Sequence, residues 1–531
     1  MNVLSNLSHQ LINRYYRKRY LAFKQDMSAF KDFQQKQLRK LLTQSEQTGW
    51  GKVHKISSEW SYKKFAETLQ ASTYEDYHMD VENQMVSKKP VLCLECNRYQ
   101  PTSGSTSGRK WIPYSKELTT EFDMAIGPWI GDLYETYPAI IKGKHYWSLS
   151  WMPDELREKL SDLDDLNVFG WWQQMIMRLT MASPNSISHA KTAAAAQLAT
   201  LAYLCSCRDL TMLFVWSPTF ALNLLEDLYK YRHELIRILE KGKWGDYQNL
   251  LDKVDCPKSK SAARILRHWD GELTSDFLQI IWPNMGLVSS WDTASSEAWA
   301  NKLKNFFPNA SFQGKGLFAT EAVVTIPFQS EYVLAYKSHF YEFECLETGK
   351  ILPSWELEKN QMVSPLVSTG SGFFRYRMKD RLEVTNFMDG LPCLTFKGRM
   401  NDVDLVGEKM SPELVEAIFN NMEKKFSLIK GVSLLGVEDL DQKPFYLCIV
   451  EGEGKVVRDD LEAFLEKELK KNFHYNLARD LGQLDHSKVI HEKDGFKFYQ
   501  ELAMKKGMIK GDVKLEILSK IERKQLEGVV L

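Results

Sequence analysis

The sequence predicts an α/β fold with a large N-terminal domain, built from several sheets and helices, and a small C-terminal α+β domain. The chain has 531 residues, more than one hydrophobic core usually organises. Helical spacing dominates the first 80 or so residues, and short apolar runs between polar turns begin near residue 279. The pattern changes again near Gly398. We therefore expect one domain over residues 1–397 and a second over residues 398–531.

The N-terminal part is predicted to be mostly helical. Leu38, Leu41 and Leu42 recur at helical spacing. An apolar run at residues 90–94 predicts a strand that enters a loop rich in serine, threonine and glycine. Residues 117–137 predict a further helix.

Helices and strands then alternate. Repeated alanines in residues 186–205 favour a helix, because alanine has the highest helix propensity. The continuous apolar run at residues 210–216 predicts a buried strand. Ser217 and Pro218 suit the cap and first position of a helix over residues 220–231. Later runs predict the strands of a sheet, at residues 287–288, 322–327, 332–336, 373–377 and 382–384.

The C-terminal residues predict a compact α+β domain. Helices are expected at residues 412–424 and 459–470. Strands are expected near residues 432–435, 445–450 and 489.

Composition restricts the function. Lysine plus arginine and aspartate plus glutamate both number 69, so no bulk attraction to nucleic acid or membrane is expected. No apolar run approaches the roughly 18 residues that span a bilayer. The Cys93–Cys96 pair lacks a second pair that would complete a zinc site. These features favour a reduced, cytoplasmic protein, expected to be a monomer, without a permanent protein-only metal site.

A loop at residues 102–110 combines hydroxyls, glycines and positive charge. Glycine lets the backbone approach an anion closely, and amides, hydroxyls and a lysine bind phosphate oxygens. The alternative is a flexible linker, although the apolar residues directly after Lys110 argue against it. The candidate phosphate ligands before Lys110 are Thr102, Ser103, Gly104, Ser105, Thr106, Ser107, Gly108 and Arg109.

Two acids stand out farther along the chain. Glu321, which follows Thr320, is a candidate Mg²⁺ ligand, since hard cations take carboxylate oxygens; the alternative is a surface acid at a strand end. Asp380 follows a cationic, aromatic strand and could accept hydrogen bonds from both ribose hydroxyls; the alternative is a turn aspartate paired with Arg377 or Arg381. The region from Gly398 to Arg399 suits a hinge.

Taken in order, these segments resemble the auxin-responsive promoter family of acyl acid–amido synthetases, in its bacterial-type form, within the adenylate-forming superfamily. The resemblance covers about residues 30–525. It rests on the loop at 102–110 and on segments at 214–220, 282–284, 314–321, 335–343, 376–380 and 398–399.

The resemblance implies a ligase that uses ATP and Mg²⁺ to convert a carboxylic acid to an acyl-adenylate and then joins the acyl group to an amino acid. It implies phosphate contacts from Lys110 and Thr320, with Glu321 on the metal. Ala294, Ser295 and Phe318 would line adenine, and Asp380 would hold ribose. Arg399 would serve the hinge and nucleotide, and Lys514 the transition state of adenylation. The small domain would rotate between the two half-reactions.

Two positions depart from the family pattern. The glycine of the ribose motif is Lys379 here, which is strained if the position needs a positive φ. The aromatic residue near the metal-binding glutamate is Phe318, with Leu317 in the family's slot.

Two other functions are compatible with parts of the sequence. A coenzyme A ligase of the same superfamily would share the nucleotide residues, but residues 400–531 show no evident coenzyme-binding signature. A binding protein on an inactive scaffold is disfavoured because Lys110, Glu321, Asp380 and Lys514 are all retained. The acyl pocket is expected near residues 120–230, where tryptophans are frequent, which suggests an aromatic acid. These are Trp129, Trp147, Trp151, Trp171, Trp172 and Trp216.

Overall fold

The structure, a computed structural model, describes most of the chain in two compact units. The chain passes from the first unit to the second between Lys397 and Gly398. The described residues are 3–96, 98–101, 110–148, 179–400, 403, 405–406, 408, 410–438, 442–453, 456–480, 483–505, 508 and 513–529.

Helices begin the first unit, as predicted, and Leu38, Leu41 and Leu42 are buried. Caps fix where two later helices start: the side chain of Ser115 accepts from the amide of Leu118, and that of Thr192 from Ala195. The helices of this unit are Val3–Gln25, Phe30–Ser45, Gly49–Val53, Tyr62–Thr68, His78–Ser87, Lys116–Thr136, Ala193–Ser206, Pro218–Lys230, Arg232–Lys241, Lys260–His268, Ser275–Ile281 and Glu297–Phe306.

A short antiparallel pair, β1 (Tyr99–Pro101) and β2 (Trp111–Pro113), brackets the loop at residues 102–109. That loop lies outside the described residues. The predicted strand at residues 90–94 is wrong. Its backbone bonds elsewhere: the amides of Leu92 and Cys93 donate to Gln84 Oε1, at 2.6 and 3.2 Å.

A parallel sheet organises the middle of the unit. Its strands lie in the order β3 (Lys144–Trp147), β4 (Leu210–Phe214), β5 (Leu287–Ser289) and β6 (Ser311–Gln313). Both faces are covered, because Met212 and Phe214 enter one hydrophobic core and Leu213 enters another. The apolar run at residues 210–216 therefore signals a strand buried on both sides.

The larger sheet follows in sequence and is mostly antiparallel. In the described residues its strand order is β10-β9-β11-β13-β14-β8-β7, and β12 pairs with β11. These strands are β7 (Thr325–Phe328), β8 (Glu331–Leu334), β9 (Phe340–Cys345), β10 (Ile351–Pro353), β11 (Met362–Ser368), β12 (Tyr376–Arg377), β13 (Asp380–Met388) and β14 (Leu391–Arg399). The strand expected at residues 373–377 is shorter than predicted.

The second unit is the predicted α+β arrangement. Its sheet has the order β17-β16-β15-β18 and contains both parallel and antiparallel pairs. Its strands are β15 (Ile429–Glu438), β16 (Phe445–Gly452), β17 (Lys488–Glu492) and β18 (Leu518–Glu522); its helices are Pro412–Lys425, Arg458–Leu469, Phe473–Asp480 and Gly495–Lys505. Among the described helices of either unit, none combines the length and apolar character needed to cross a bilayer.

Candidate functional site

Three of the predicted nucleotide residues follow strands of the parallel sheet, beyond the carboxyl ends of those strands. Beyond β4, the carbonyl of Trp216 accepts from the amide of Trp291, at 2.9 Å, so the segments after β4 and β5 stay side by side. Ala294 follows on the β5 segment, and Thr320 and Glu321 follow β6. Ligands commonly bind at this edge of a parallel sheet.

Ala294 opens a single 3₁₀ turn, Ala294–Ser296, before the helix Glu297–Phe306. Its φ is 51°, in the left-handed region that a residue with a Cβ rarely occupies. Such local strain clusters at functional sites. The side chain of Ser295 is outside the description, and contact of both residues with adenine stays a prediction.

Thr320 and Glu321 occupy the tip of a tight hairpin. The amide of Ala319 donates to the carbonyl of Ala322, at 2.9 Å, which leaves Thr320 and Glu321 at the two central positions of the turn. The hydroxyl of Tyr114 donates to the Thr320 carbonyl at 3.0 Å. Both tip side chains are half-buried.

Glu321 and Asp380, although far apart in sequence, both lie close to Tyr376. Burial raises the pKa of the Tyr376 hydroxyl, and the negative charges of Glu321, Glu75 and Asp380 raise it further. Tyr376 therefore stays neutral. Asp380 is buried; it follows β12, as the sequence suggested, and begins β13. The structure thus groups the predicted metal and ribose acids.

Lys110 and Lys379 both face Glu75. The Lys110 ammonium is 5.8 Å from the ring centroid of Tyr74. A hydrogen bond from its own backbone amide lowers the pKa of Glu75, and so do its bond to Thr73 and the charges of the two lysines. Lys110 therefore lies near the acids as well as directly after the loop at residues 102–109.

Lys379 has a φ of 59°, so the position of the family's glycine keeps a left-handed backbone here despite its side chain. We expect Lys379→Gly to raise the free energy of unfolding by up to about 1 kcal/mol, because relief of strain outweighs the entropy that glycine adds to the unfolded chain. Urea unfolding measures it. Lys350→Gly, at an exposed position outside the left-handed region, is the control and should lose roughly 0.5–1 kcal/mol. An equal decrease in the free energy of unfolding of both variants would show that the backbone at Lys379 is not strained.

A buried ion pair supports this side of the site, and the sequence analysis missed it. Arg375 donates to both carboxylate oxygens of Glu342, at 2.9 and 3.0 Å, and to the carbonyls of Ala66 and Leu69, at 2.8 and 2.6 Å. Tyr62 donates to the same carboxylate, at 3.0 Å. A glutamate inside the aromatic run of β9 was the available signal, because a charge there needs a buried partner.

Aromatic rings line the other side, in the region where the sequence predicted an acyl pocket. The ring of Phe318 lies 5.2 Å from that of Trp129 and 5.9 Å from that of Trp216. Phe214 lies 4.1 Å from Trp147 and 5.7 Å from Trp216. Stacking of Phe318 on adenine stays a prediction. The predicted pocket residues Trp151, Trp171 and Trp172 lie outside the described residues.

The remaining predicted residues belong to the end of β14 and to the second unit. Gly398 has a φ of 109°, which a hinge glycine tolerates without strain. The side chain of Arg399 is outside the description. Lys514 precedes β18 and is half-buried; the hydroxyl of Tyr499 bonds to its carbonyl, at 3.3 Å, and to the amide of Glu516, at 3.2 Å.

Known proteins share this architecture. The GH3.15 acyl acid amido synthetase aligns with a TM-score of 0.74 and 16% identity, over 96% of this chain and 95% of that one. The AtGH3.15 acyl acid amido synthetase in complex with 2,4-DB gives a TM-score of 0.76 at 16% identity, over 97% and 96%. These likenesses confirm the predicted fold class.

Parts of the sequence also match known proteins and protein domains. The indole-3-acetic acid-amido synthetase GH3.10 of Arabidopsis thaliana is 22% identical over 221 residues, which are 34% of this chain and 36% of that protein. The match therefore spans about a third of that relative. The GH3 family N-terminal domain matches residues 19–312, and the GH3 family central domain matches residues 332–399. The resemblance inferred from the sequence is confirmed: this chain belongs to the GH3 family.

Proposed function

We propose that the protein is an ATP-dependent ligase that activates a carboxylic acid as an acyl-adenylate and transfers the acyl group to the amine of an amino acid. One observation carries the proposal. Glu321 and Asp380, acids far apart in the sequence, both lie close to Tyr376, and Ala294 and Glu321 both follow strands of the parallel sheet. Membership of the GH3 family supports the assignment.

Each group has a physical task in such a reaction. Asp380 is buried, and its carboxylate oxygens suit the two ribose hydroxyls. Lys110 and the hydroxyl of Thr320 suit phosphate oxygens, while the strained turn at Ala294 brings backbone close to the base. Holding the acid and ATP in the geometry of the reaction makes a bimolecular step effectively unimolecular.

Glu321 is the residue that would hold Mg²⁺. Across the described residues, no cluster of three or more metal-ligating side chains exists, so one or two carboxylates would act with ATP phosphates, as Mg²⁺ sites usually do. A carboxylate at a half-buried hairpin tip fits that role. The bound ion would neutralise phosphate charge.

The second unit would contribute Lys514 to the first half-reaction, with Gly398 and Arg399 as the hinge. A monomeric state, a cytoplasmic location and the absence of nucleic-acid or membrane partners stay predictions.

The decisive experiment is a screen of carboxylic acids by pyrophosphate release, with ATP and Mg²⁺, with and without an amino-acid pool. We expect release with a subset of acids, an amide product only when amino acids are present, and no release in excess chelator. A thioester product with coenzyme A in place of the amide would favour the alternative ligase. Absence of pyrophosphate release with every acid would favour a binding protein on an inactive scaffold.

Asp380→Ala should raise the KM for ATP more than it lowers kcat. A ribose contact is similar in the ground and transition states, so its loss weakens binding. Two hydrogen bonds to a carboxylate stabilise by roughly 1.5–3 kcal/mol each at most. Steady-state kinetics at varied ATP measures the change.

Glu383→Ala is the matched control, because Glu383 lies three residues along the same strand, on its opposite face, and pairs with Lys397 at 2.9 Å. It should leave the KM for ATP unchanged. A large fall in kcat for Asp380→Ala at constant KM would contradict the ribose assignment.

A further inference from the structure

Lys315 is buried among aromatic rings at the carboxyl edge of the parallel sheet. Only 3% of its surface is exposed. Its ammonium donates to Ser289 Oγ, at 3.0 Å, and lies 2.8 Å from the ring centroid of Phe214 and 5.1 Å from that of Trp216. Lysine is almost never buried this fully without a partner charge.

The chain around Lys315 is shaped to hold it there. A Cβ on Gly314 would lie 2.2 and 2.3 Å from the carboxylate oxygens of Asp292, and one on Gly316 would lie 1.9 Å from the carbonyl oxygen of Thr325. Only glycine fits on either side of the lysine. The Gly-Lys-Gly sequence is thus a structural requirement of this position, and it was the available sequence signal.

In the described part of the chain, the hydrogen-bond partner of the Lys315 amine is the hydroxyl of Ser289, not a carboxylate. Asp292 is near enough to favour the charged form, but its carboxylate bonds to the hydroxyl of Tyr332. Burial lowers the pKa of Lys315 well below its ordinary value. An arriving carboxylic acid can supply the proton that such an amine lacks, so that an ammonium–carboxylate ion pair forms on binding.

The surroundings indicate the shape of that anion. The rings of Trp129, Phe214 and Trp216 surround the amine, and Phe318 packs against two of them, Trp129 and Trp216; the rings of Trp216 and Phe318 are half-buried. Flat walls of this kind favour flat aromatic ligands. Lys315 also lies on the segment that continues to Thr320 and Glu321, so an anion bound there would be close to the proposed ATP phosphates.

We propose that Lys315 binds the carboxylate of the acyl acid, and that the surrounding rings select a flat aromatic carboxylic acid. This inference rests on the proposed function and names its substrate class. One carboxylate oxygen is held by the ammonium while the other is free to attack the α-phosphate, forming the P–O bond of the acyl-adenylate as the bond to the departing pyrophosphate breaks.

Lys315→Met tests the assignment, because methionine keeps the length of the side chain and suits an aromatic environment. The KM for the preferred acid should rise roughly 10- to 100-fold, as expected for loss of a charge-assisted bond, with the KM for ATP unchanged. The variant should melt at a higher temperature than the wild type, since a buried amine has been replaced by an apolar group.

Lys425→Met is the matched control: Lys425 is exposed and lies over two rings of the second unit, Phe426 and Phe464, at 5.0 and 4.9 Å. It should leave both KM values unchanged. In the acid screen, the wild type should prefer aromatic acids over aliphatic acids of similar length.

The outcomes are distinct. An active wild type whose acid KM is unaffected by Lys315→Met, or which prefers aliphatic acids, overturns this inference alone. If the Lys315→Met variant melts at a lower temperature than the wild type and its KM values for the acid and for ATP rise equally, Lys315 has a structural role instead. A wild type that releases no pyrophosphate with any acid removes the proposed function, and this inference with it.

Discussion

Lys514→Ala is expected to stop acyl-adenylate formation and to leave amide formation from a supplied acyl-adenylate intact. In the first half-reaction, an ammonium at the α-phosphate would neutralise the charge that develops as pyrophosphate leaves. Removal of one such preorganised donor costs about 2.7–4 kcal/mol, or 10²–10³ in rate. In the second half-reaction an amine attacks a carbonyl, and no pyrophosphate leaves.

The measurement uses two mixtures: variant protein with synthetic acyl-adenylate and an amino acid, and variant protein with ATP, the acid and the amino acid. We expect amide from the first and none from the second. Lys520→Ala is the control, since Lys520 lies on the next strand and pairs with Glu438 at 2.8 Å on the surface. Equal impairment in both mixtures would assign Lys514 to folding or to a shared contact.

Glu342→Ala is expected to lower the free energy of unfolding of the first unit by about 3–5 kcal/mol, because it leaves the guanidinium of Arg375 buried without its counter-ion. The side chains of Arg375 and Glu342 are 6% and 1% exposed. Arg375 also has a φ of 51°, so its contacts hold a strained backbone. Glu342→Ala with Arg375→Met should recover part of the loss, since no charge then remains buried.

The same strand provides the control. Glu344 pairs with Arg377, but these side chains are 21% and 32% exposed, and Glu344→Ala should cost at most about 1 kcal/mol. Urea unfolding followed by tryptophan fluorescence isolates the first unit, because all 15 tryptophans precede residue 398. Equal costs for Glu342→Ala and Glu344→Ala would show that burial does not set the strength of the pair.

Local pattern predicted the elements whose neighbours are close in sequence. The helix predicted at residues 117–137 is Lys116–Thr136, capped by Ser115, and the helix predicted at 412–424 is Pro412–Lys425, capped by Ser411. In each case the start signal and the apolar stripe lie within the element.

Elements set by distant partners were not predictable. The apolar run at residues 90–94 has strand character, yet the carbonyls of Pro90 and Val91 accept from the amides of Gly49 and Trp50, each at 2.9 Å. The backbone carbonyls of this segment are therefore hydrogen-bonded to amides at the start of a helix about forty positions earlier, and not to a neighbouring strand. The helix Phe473–Asp480 was not predicted either, because its eight residues give little more than two turns in which an apolar period can be recognised.

The candidate site also contains residues that the sequence predicts and residues that only distant contacts reveal. The motif residues Thr320, Glu321 and Asp380 could be named from the sequence, because their order along the chain is itself the signal. The environment of Lys315 could not, since its burial arises only where the ends of β4, β5 and β6 meet. The Arg375–Glu342 pair joins residues 33 positions apart, one in β9 and one just before β12, a distance that local pattern does not cover.

The two hydrophobic cores of the first unit have a consequence for synthesis on the ribosome. One core uses residues between Tyr146 and Phe307, so it can close once that stretch has emerged. The other joins Tyr16, near the beginning, to Leu394. The N-terminal helices contact β7 and β9, through Phe23 on Phe328 and Gln34 on Tyr341. They must therefore wait until β9, which ends at Cys345, has been made, with the apolar faces that pack on these strands exposed meanwhile. Slowed translation between the two stretches should lengthen that wait and increase the demand for chaperones.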